Sequence, residues 1–124
     1  MKTEDKQLLL QDLCARLPYG VKVAVNQSEL QNYDYKWKNW SFDEEPQEID
    51  GISIYGVTFG CMDMSDGVIG FDYIKPYLFP LSSMTFDEYV IPYWYVDCYN
   101  KHHFDYRGLI TKGLAIDATG LNIY

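Results

Sequence analysis

The stretch LLLQDLCARLPYGVKVAVN, residues 8–26, joins a helical pattern to a strand pattern across a proline and a glycine. Apolar residues recur every three or four positions in its first half, which predicts a helix over about Thr3–Leu17. Pro18 and Gly20 end that helix. Valine alternates with other residues over Gly20–Asn26, and this period of two predicts a half-buried strand. The predicted apolar stripe of the helix consists of Leu9, Leu10, Leu13, Cys14 and Leu17.

The middle of the chain carries further strand patterns. The run GISIYGVTFG, residues 51–60, predicts a central strand in which Gly56 marks a bulge or a close approach of another backbone. Residues 68–74 form the second half of a hairpin after a turn at Asp66-Gly67. Two prolines in residues 75–80 predict a stiff, extended connector. The acidic residues 41–50 before these strands predict a solvated loop.

The last third of the chain is predicted to be helical, with an irregular tail. A capping box that begins at Thr85 predicts one short helix, and residues 94–103 predict another. Asp105 is expected to cap a last helix that ends near residue 114. The apolar tail, residues 117–124, is expected to dock against the body of the protein.

These patterns predict an α+β fold. The elements are an N-terminal helix, a mostly antiparallel sheet of three to five strands, short C-terminal helices and the docked tail. A length of 124 residues is typical of a single domain, so we expect residues 1–124 to form one.

Composition limits the function classes. The chain has 12 tyrosines, six phenylalanines and three tryptophans together with a net charge of −8. The negative field disfavours direct binding to nucleic acid, because it repels phosphates. No apolar run reaches the ~20 residues needed to cross a bilayer. The N-terminus lacks the pattern of a signal peptide, so we expect a cytoplasmic location. Three widely spaced cysteines are expected to be reduced and buried: Cys14, Cys61 and Cys98.

Three stretches carry a resemblance to a known family. They are LLLQDLCARLPYGVKV at 8–23, IKPYLFPLSSMT at 74–85 and HHFDYRGLITKGLAIDATGLNIY at 102–124, about 50 of the 124 residues. They resemble short uncharacterised proteins of Bacteroides-type gut bacteria, often encoded beside phage or other mobile elements. Residues 27–50 and 89–95 depart from that pattern. The resemblance implies a compartment and a genetic context, and it transfers no catalytic residue.

An aromatic strip is the first candidate site. Tyr33, Tyr35 and Trp37 alternate with charged residues, and Trp40 follows. Such rings can cover a sheet or pair across strands. They can also present contact area to a partner protein, with the acidic 43–50 loop at the rim. We predict Tyr33, Tyr35, Trp37 and Trp40 as partner-binding residues.

The second candidate is a set of reactive side chains near residue 100. Cys98 and His102 are four residues apart, so on a helix they share a face and suit a thiolate nucleophile or two zinc ligands. Asp105 or His103 would supply a third zinc ligand. The pattern is not specific, and the preferred interpretation is structural: a core thiol, one histidine that caps the helix and one that is exposed. Arg107 is expected to form a structural ion pair, with anion binding as the alternative.

The sequence therefore predicts a non-catalytic protein-interaction or accessory module, with no catalytic residue, metal or cofactor. The expected partner is a protein of basic charge, and a homodimer is also considered. Two alternatives stay open. One is a small hydrolase or metal-dependent enzyme that uses Cys98, His102, His103 and Asp105. The other is an acidic DNA mimic of a mobile element.

Overall fold

The α+β class is confirmed by the computed structural model, which describes residues 2–29, 46–59, 68–80 and 93–124. Within these ranges the chain forms two complete α-helices and seven strands, and residues 27–29 form a further helical segment. The helices are α1 (Thr3–Arg16) and α2 (Tyr93–Lys101). The strands are β1 (Lys22–Val25), β2 (Gln47–Ser53), β3 (Gly56–Phe59), β4 (Ile69–Gly70), β5 (Ile74–Pro80), β6 (Phe104–Asp105) and β7 (Ile116–Asp117).

The sheet is larger than the three to five strands expected. Strands β4, β3, β2, β1 and β5 pair in that order, and β5 also pairs with β6 and β7. The pairs among β1 to β5 are antiparallel, as predicted, whereas β6 and β7 both run parallel to β5. Two of the unexpected strands, β6 and β7, come from the C-terminal region, where the sequence suggested only helices and a tail.

Strand β5 corrects the predicted connector over residues 75–80. Its prolines are compatible with the sheet because of their positions. Pro76 lies opposite Val23 of β1. The Tyr73 carbonyl, three residues before Pro76, points towards β1 and accepts the N–H of Asn26. Neighbouring residues of a strand direct their polar groups to opposite edges, so the missing N–H of Pro76 falls on the side away from β1. The strand pairs with β1 without that donor.

The predicted single strand over residues 51–60 is two strands. Residues 47–50, assigned to a loop, begin β2, and Ile54 and Tyr55 form a two-residue turn into β3. The expected close approach at Gly56 is confirmed, because a Cβ there would lie 2.0 Å from the carbonyl oxygen of Ile69 in β4. Glycine at this position is what allows β3 and β4 to pair.

The C-terminal region confirms one predicted helix and corrects another. Helix α2 matches the helix expected over residues 94–103. Asp105 does act as a cap, since its carboxylate accepts the N–H groups of Leu109 and Ile110, but the following residues form turns rather than a helix. Gly108 and Gly113 adopt φ angles of 74° and 75°, in the left-handed region that interrupts a right-handed helix.

Helix α1 confirms the prediction for residues 3–17 and shows which face is buried. Leu9 and Leu13 are fully buried in the core, whereas Cys14 is exposed. Asp12 and Arg16 are also fully buried, and they share the helical face of Leu9 and Leu13. Arg16 therefore does not extend into solvent at the helix end. The other large core residues are Val21, Val23, Ile49, Val57, Phe59, Ile69, Phe71, Ile74, Leu78 and Leu109.

A buried ion pair connects α1 with the C-terminal region. The Asp12 carboxylate accepts Nε of Arg16 at 2.9 Å and Nη1 of Arg107 at 2.8 Å. Arg16 in turn donates to the backbone carbonyls of Tyr99 in α2 and Phe104 in β6. The expected structural ion pair of Arg107 is confirmed. The network fixes α1 against two elements more than 80 residues away in sequence.

Several predictions lie outside the described residues. They are the aromatic strip, most of the acidic loop, the Asp66-Gly67 turn, Cys61 and the helix expected from Thr85. In the part of the chain that the structure describes, no helix is both long and apolar enough to span a membrane.

Replacing Asp12 tests the buried network. Asp12→Asn removes the negative charge and leaves Arg16 buried without a counter-ion, so we expect unfolding to become easier by about 3 kcal/mol. Urea denaturation of the purified protein measures this free energy. The matched control is Glu4→Gln on the exposed side of the same helix, for which a change within about 0.5 kcal/mol is expected. Equal effects of the two substitutions would contradict a stabilising role for the pair.

Candidate functional site

The reactive side chains near residue 100 are dispersed into different environments. Cys98 and His102 are both exposed at the end of α2, where the His102 N–H donates to the Cys98 carbonyl at 3.0 Å. Asp105 is buried, and its two carboxylate oxygens accept backbone N–H groups at 2.8 and 2.9 Å. Among the described residues, no group of three or more His, Cys, Asp or Glu side chains is arranged to hold a metal ion. The exposure of Cys14 and Cys98 also corrects the expectation of buried thiols.

His103 faces inward and stacks on Tyr124. Its φ angle of 61° turns the chain sharply between α2 and β6. The two rings are nearly parallel, with centroids 3.8 Å apart. The imidazole is buried, and its Nδ1 has no hydrogen-bond partner among the residues that the structure describes. Burial lowers the pKa of His103 to about 4, and the positive charges of Arg16 and Lys22 add to this effect. The imidazole is therefore neutral at physiological pH.

The Tyr124 hydroxyl fills a gap in the sheet. It accepts the N–H of Lys22 at 2.9 Å and donates to the carbonyl of Tyr77 at 2.8 Å. Phe79 donates its N–H to His103, whereas its neighbour Leu78 accepts from Ala118, so β6 and β7 lie on opposite edges of β5. Strands β1 and β6 thus pair with the same edge of β5, one after the other. Between them, the Tyr124 hydroxyl links the backbone of Lys22 in β1 to that of Tyr77 in β5. Burial raises the pKa of Tyr124 to about 12, so the bridge stays protonated.

We define the C-terminal strap as residues 118–124, which follow β7. The Ala118 N–H donates to Leu78 at 2.8 Å, and the carbonyl of Ile123 accepts the Lys22 ammonium at 3.0 Å. Together with the Tyr124 hydroxyl, these contacts confirm that the tail docks. The docking uses polar groups and two rings rather than the expected Leu121, which is exposed.

A crevice lies beside the strap. Its volume is about 430 Å³, and it is lined by Phe79, Pro80, His102, Phe104 and Thr119. Phe79 and Pro80 end β5, Phe104 begins β6, and Thr119 follows β7, so the crevice lies at the carboxyl end of β5, beside the start of β6 and the end of β7. Concave sites with a mostly apolar lining are frequent ligand sites. The mostly apolar lining suits binding rather than acid–base chemistry.

The turn between β2 and β3 presents a second surface. Ile54 and Tyr55 are 71% and 74% exposed, the highest values among the large hydrophobic residues that the structure describes. Ile54 also lines a cavity of about 290 Å³ with Leu10 and the polar residues Thr3, Lys6 and Gln7 of α1. We call Leu10, Ile54 and Tyr55 the tip patch.

No protein-family model, no curated protein and no solved structure matches this chain in comparisons with known proteins. The resemblance to Bacteroides-type proteins stays a prediction, and function must be argued from the surfaces of this molecule.

Sequence reasoning did not identify the residues that form these surfaces. Ile54 and Tyr55 were placed inside a strand, although Ser53 offered a turn signal: its hydroxyl accepts the Tyr55 N–H at 3.1 Å. The stacking of His103 on Tyr124 joins residues that no local pattern connects. Only the general expectation that the tail docks pointed towards it.

The Tyr124 bridge is tested by removing one atom. In Tyr124→Phe the ring can still stack on His103, but Lys22 and Tyr77 lose their shared partner, so we expect a loss of about 1 kcal/mol in unfolding free energy. Tyr55→Phe is the matched control, because its ring is exposed and its hydroxyl can bind water in either state. Urea denaturation measures both. If Tyr124→Phe is as stable as the control, the hydroxyl does not hold the strap.

Proposed function

We propose that this protein is a non-catalytic protein-interaction module and that the tip patch is part of its contact surface. The exposure of Ile54 and Tyr55 carries the proposal. Two-residue hairpin turns favour Asn, Asp and Gly, whose backbones accept positive φ angles and whose side chains suit water. Ile54 and Tyr55 keep 71% and 74% of their surface exposed, so burial in the core accounts for little of their apolar area.

The surroundings of the tip resemble a protein-binding surface. An exposed aromatic ring beside an aliphatic pair and a cavity is the arrangement in which a few anchoring residues supply most of the binding energy. Thr3, Lys6 and Gln7 provide a polar rim. Lys6 forms an exposed ion pair with Asp72 at 3.5 Å, and such a pair is readily rearranged by a partner. The patch is small, so it would supply the anchor of a larger interface.

The charge distribution supports a basic partner. Eight of the 18 acidic residues but only two of the ten basic residues lie in segments 30–45, 60–67 and 81–92. The remainder of the chain is nearly neutral. A net charge of −8 accelerates the approach of a basic protein at low salt, while the apolar patch holds it after contact. Tyr33, Tyr35, Trp37 and Trp40 would extend the same function and remain predictions.

The enzyme alternative has weaker support. Asp105 caps a turn and His103 stacks on Tyr124, so two of the four proposed reactive groups already have structural roles. Cys98 and His102 are accessible, but exposure alone does not activate a thiol.

Site-specific photo-crosslinking tests the proposal. A photo-reactive phenylalanine analogue at position 55 is expected to capture a discrete partner in the native host, whereas the same analogue at the exposed Lys112 is not. With the captured partner purified, Tyr55→Ser and Ile54→Ser should each weaken binding at least tenfold, since each removes an apolar anchor. Their melting temperatures should change little, because both side chains are exposed.

The outcomes separate the alternatives. A basic protein partner, bound faster at low salt, supports the proposal. Capture of a second copy of this chain identifies a homodimer instead, and a partner that DNA displaces identifies a DNA mimic. Equal labelling from positions 55 and 112, or unchanged affinity in both serine variants, rejects the tip patch as the contact surface.

A further inference from the structure

The strap and the crevice share residues. Thr119 of the strap forms one wall of the crevice, and the ring of Tyr124 lies 5.9 Å from that of Phe79, which forms another. Phe79 also contacts Phe104 at 6.2 Å. Lifting residues 118–124 would therefore remove one wall and uncover an aromatic floor. Its contacts with the rest of the protein include the stack on the buried His103 ring, the Tyr124 bridge, and the bonds from Ala118 to Leu78 and from Lys22 to Ile123.

We propose that the strap is a movable wall of the crevice, closed by neutral His103 and released when His103 is protonated. This goes beyond the proposed function, which concerns the turn between β2 and β3. The geometry that supports it is an imidazole that is stacked at 3.8 Å and buried, with an Nδ1 that has no hydrogen-bond partner within the described ranges. A second proton would place a donor at Nδ1 that none of those residues accepts.

The surrounding charges act in the same direction. Arg16 on α1 and Lys22 on β1 both disfavour a positive imidazole, and the adjacent His102 does so as well. Asp12 is the nearby carboxylate on α1, but it is already bonded to Arg16 and Arg107. Glu48 of β2 also lies near Tyr124. A hydrogen bond with the backbone of Tyr19 favours the charged form and only partly offsets the rest.

The direction of the pH effect follows from proton linkage. The closed state binds a proton at His103 with a pKa of about 4, whereas a released imidazole has its ordinary pKa of 6.5. Between these values the open state binds more protons, so the closed state is fully stable above pH 6.5 and loses stability as the pH falls towards 4. At full effect the open population rises about 300-fold.

Opening would expose a specific surface. Lys22 would present a free N–H and Tyr77 a free carbonyl at the start of β1, near the rings of Phe79 and Phe104. At acid pH the space between Lys22 and Tyr77, which the Tyr124 hydroxyl fills in the closed state, would thus open into the adjacent crevice. The two would form one continuous, partly aromatic groove.

Nuclear magnetic resonance of the full chain tests this directly. The His103 ring is titrated between pH 7.5 and 4.5 while hydrogen exchange, corrected for its intrinsic pH dependence, is followed at three amides. Ala118 and Leu121 report on the strap, and Ile49, bonded to Val21 at 3.3 Å, reports on the core. We expect the strap amides to lose up to tenfold protection per pH unit below 6.5 while Ile49 keeps its own.

Two histidine variants provide the control. His103→Asn, which tolerates the positive φ angle, should abolish the pH dependence of strap protection, whereas His102→Asn at the exposed neighbour should retain it. The proposal is overturned if His103→Asn keeps the wild-type slope, or if strap and core open together. It is also overturned if the His103 ring of the unmodified protein titrates near 6.5 without loss of strap protection, a result that needs no variant to fold.

Discussion

The buried pair of Asp12 and Arg16 is the constraint on which the rest of the structure depends. Placing two charges in the core costs several kcal/mol each, and the cost is offset only by close pairing and further hydrogen bonds. Here each of the three guanidinium nitrogens donates at least one hydrogen bond, to the Asp12 carboxylate or to a backbone carbonyl of α2 or β6. Because those carbonyls must be in place, α1 accepts only one position against the C-terminal region.

That restriction explains how short strands can be well ordered. Strands β6 and β7 contain two residues each, too few to be stable on their own. Phe104, the first residue of β6, accepts a hydrogen bond from Arg16 through its carbonyl. This bond helps to hold β6 in the position where it pairs with β5. Strand β5 is the common partner of β1, β6 and β7. The N-terminal helix and the C-terminal region are thus joined through one cation and one strand.

The elements that could be predicted are those whose pattern is local. Helix α1, strand β1 and helix α2 follow from apolar periodicity and from the breakers that bound them. Strand β5 was missed because its prolines argue against a strand, and only the identity of its neighbours shows that the missing donors are not needed. The buried charges were missed although Leu9, Asp12, Leu13 and Arg16 share one helical spacing. Leu9 and Leu13 predict that this helical face is buried, whereas Asp12 and Arg16 ordinarily predict that it is exposed to solvent.

An apolar residue at position 16 could pack in the core at a lower cost than a buried arginine. The effect of Arg16 on His103 gives a reason for a charge at this position. Arg16 is among the groups that keep His103 neutral, and neutral His103 is what stacks on Tyr124 and keeps the strap closed. An apolar residue at position 16 would still fill the core, but it would remove a charge that opposes protonation of His103. The strap would then close more firmly in acid. A buried arginine therefore couples the packing of α1 to the state of a surface groove, and an apolar substitute would preserve only the packing.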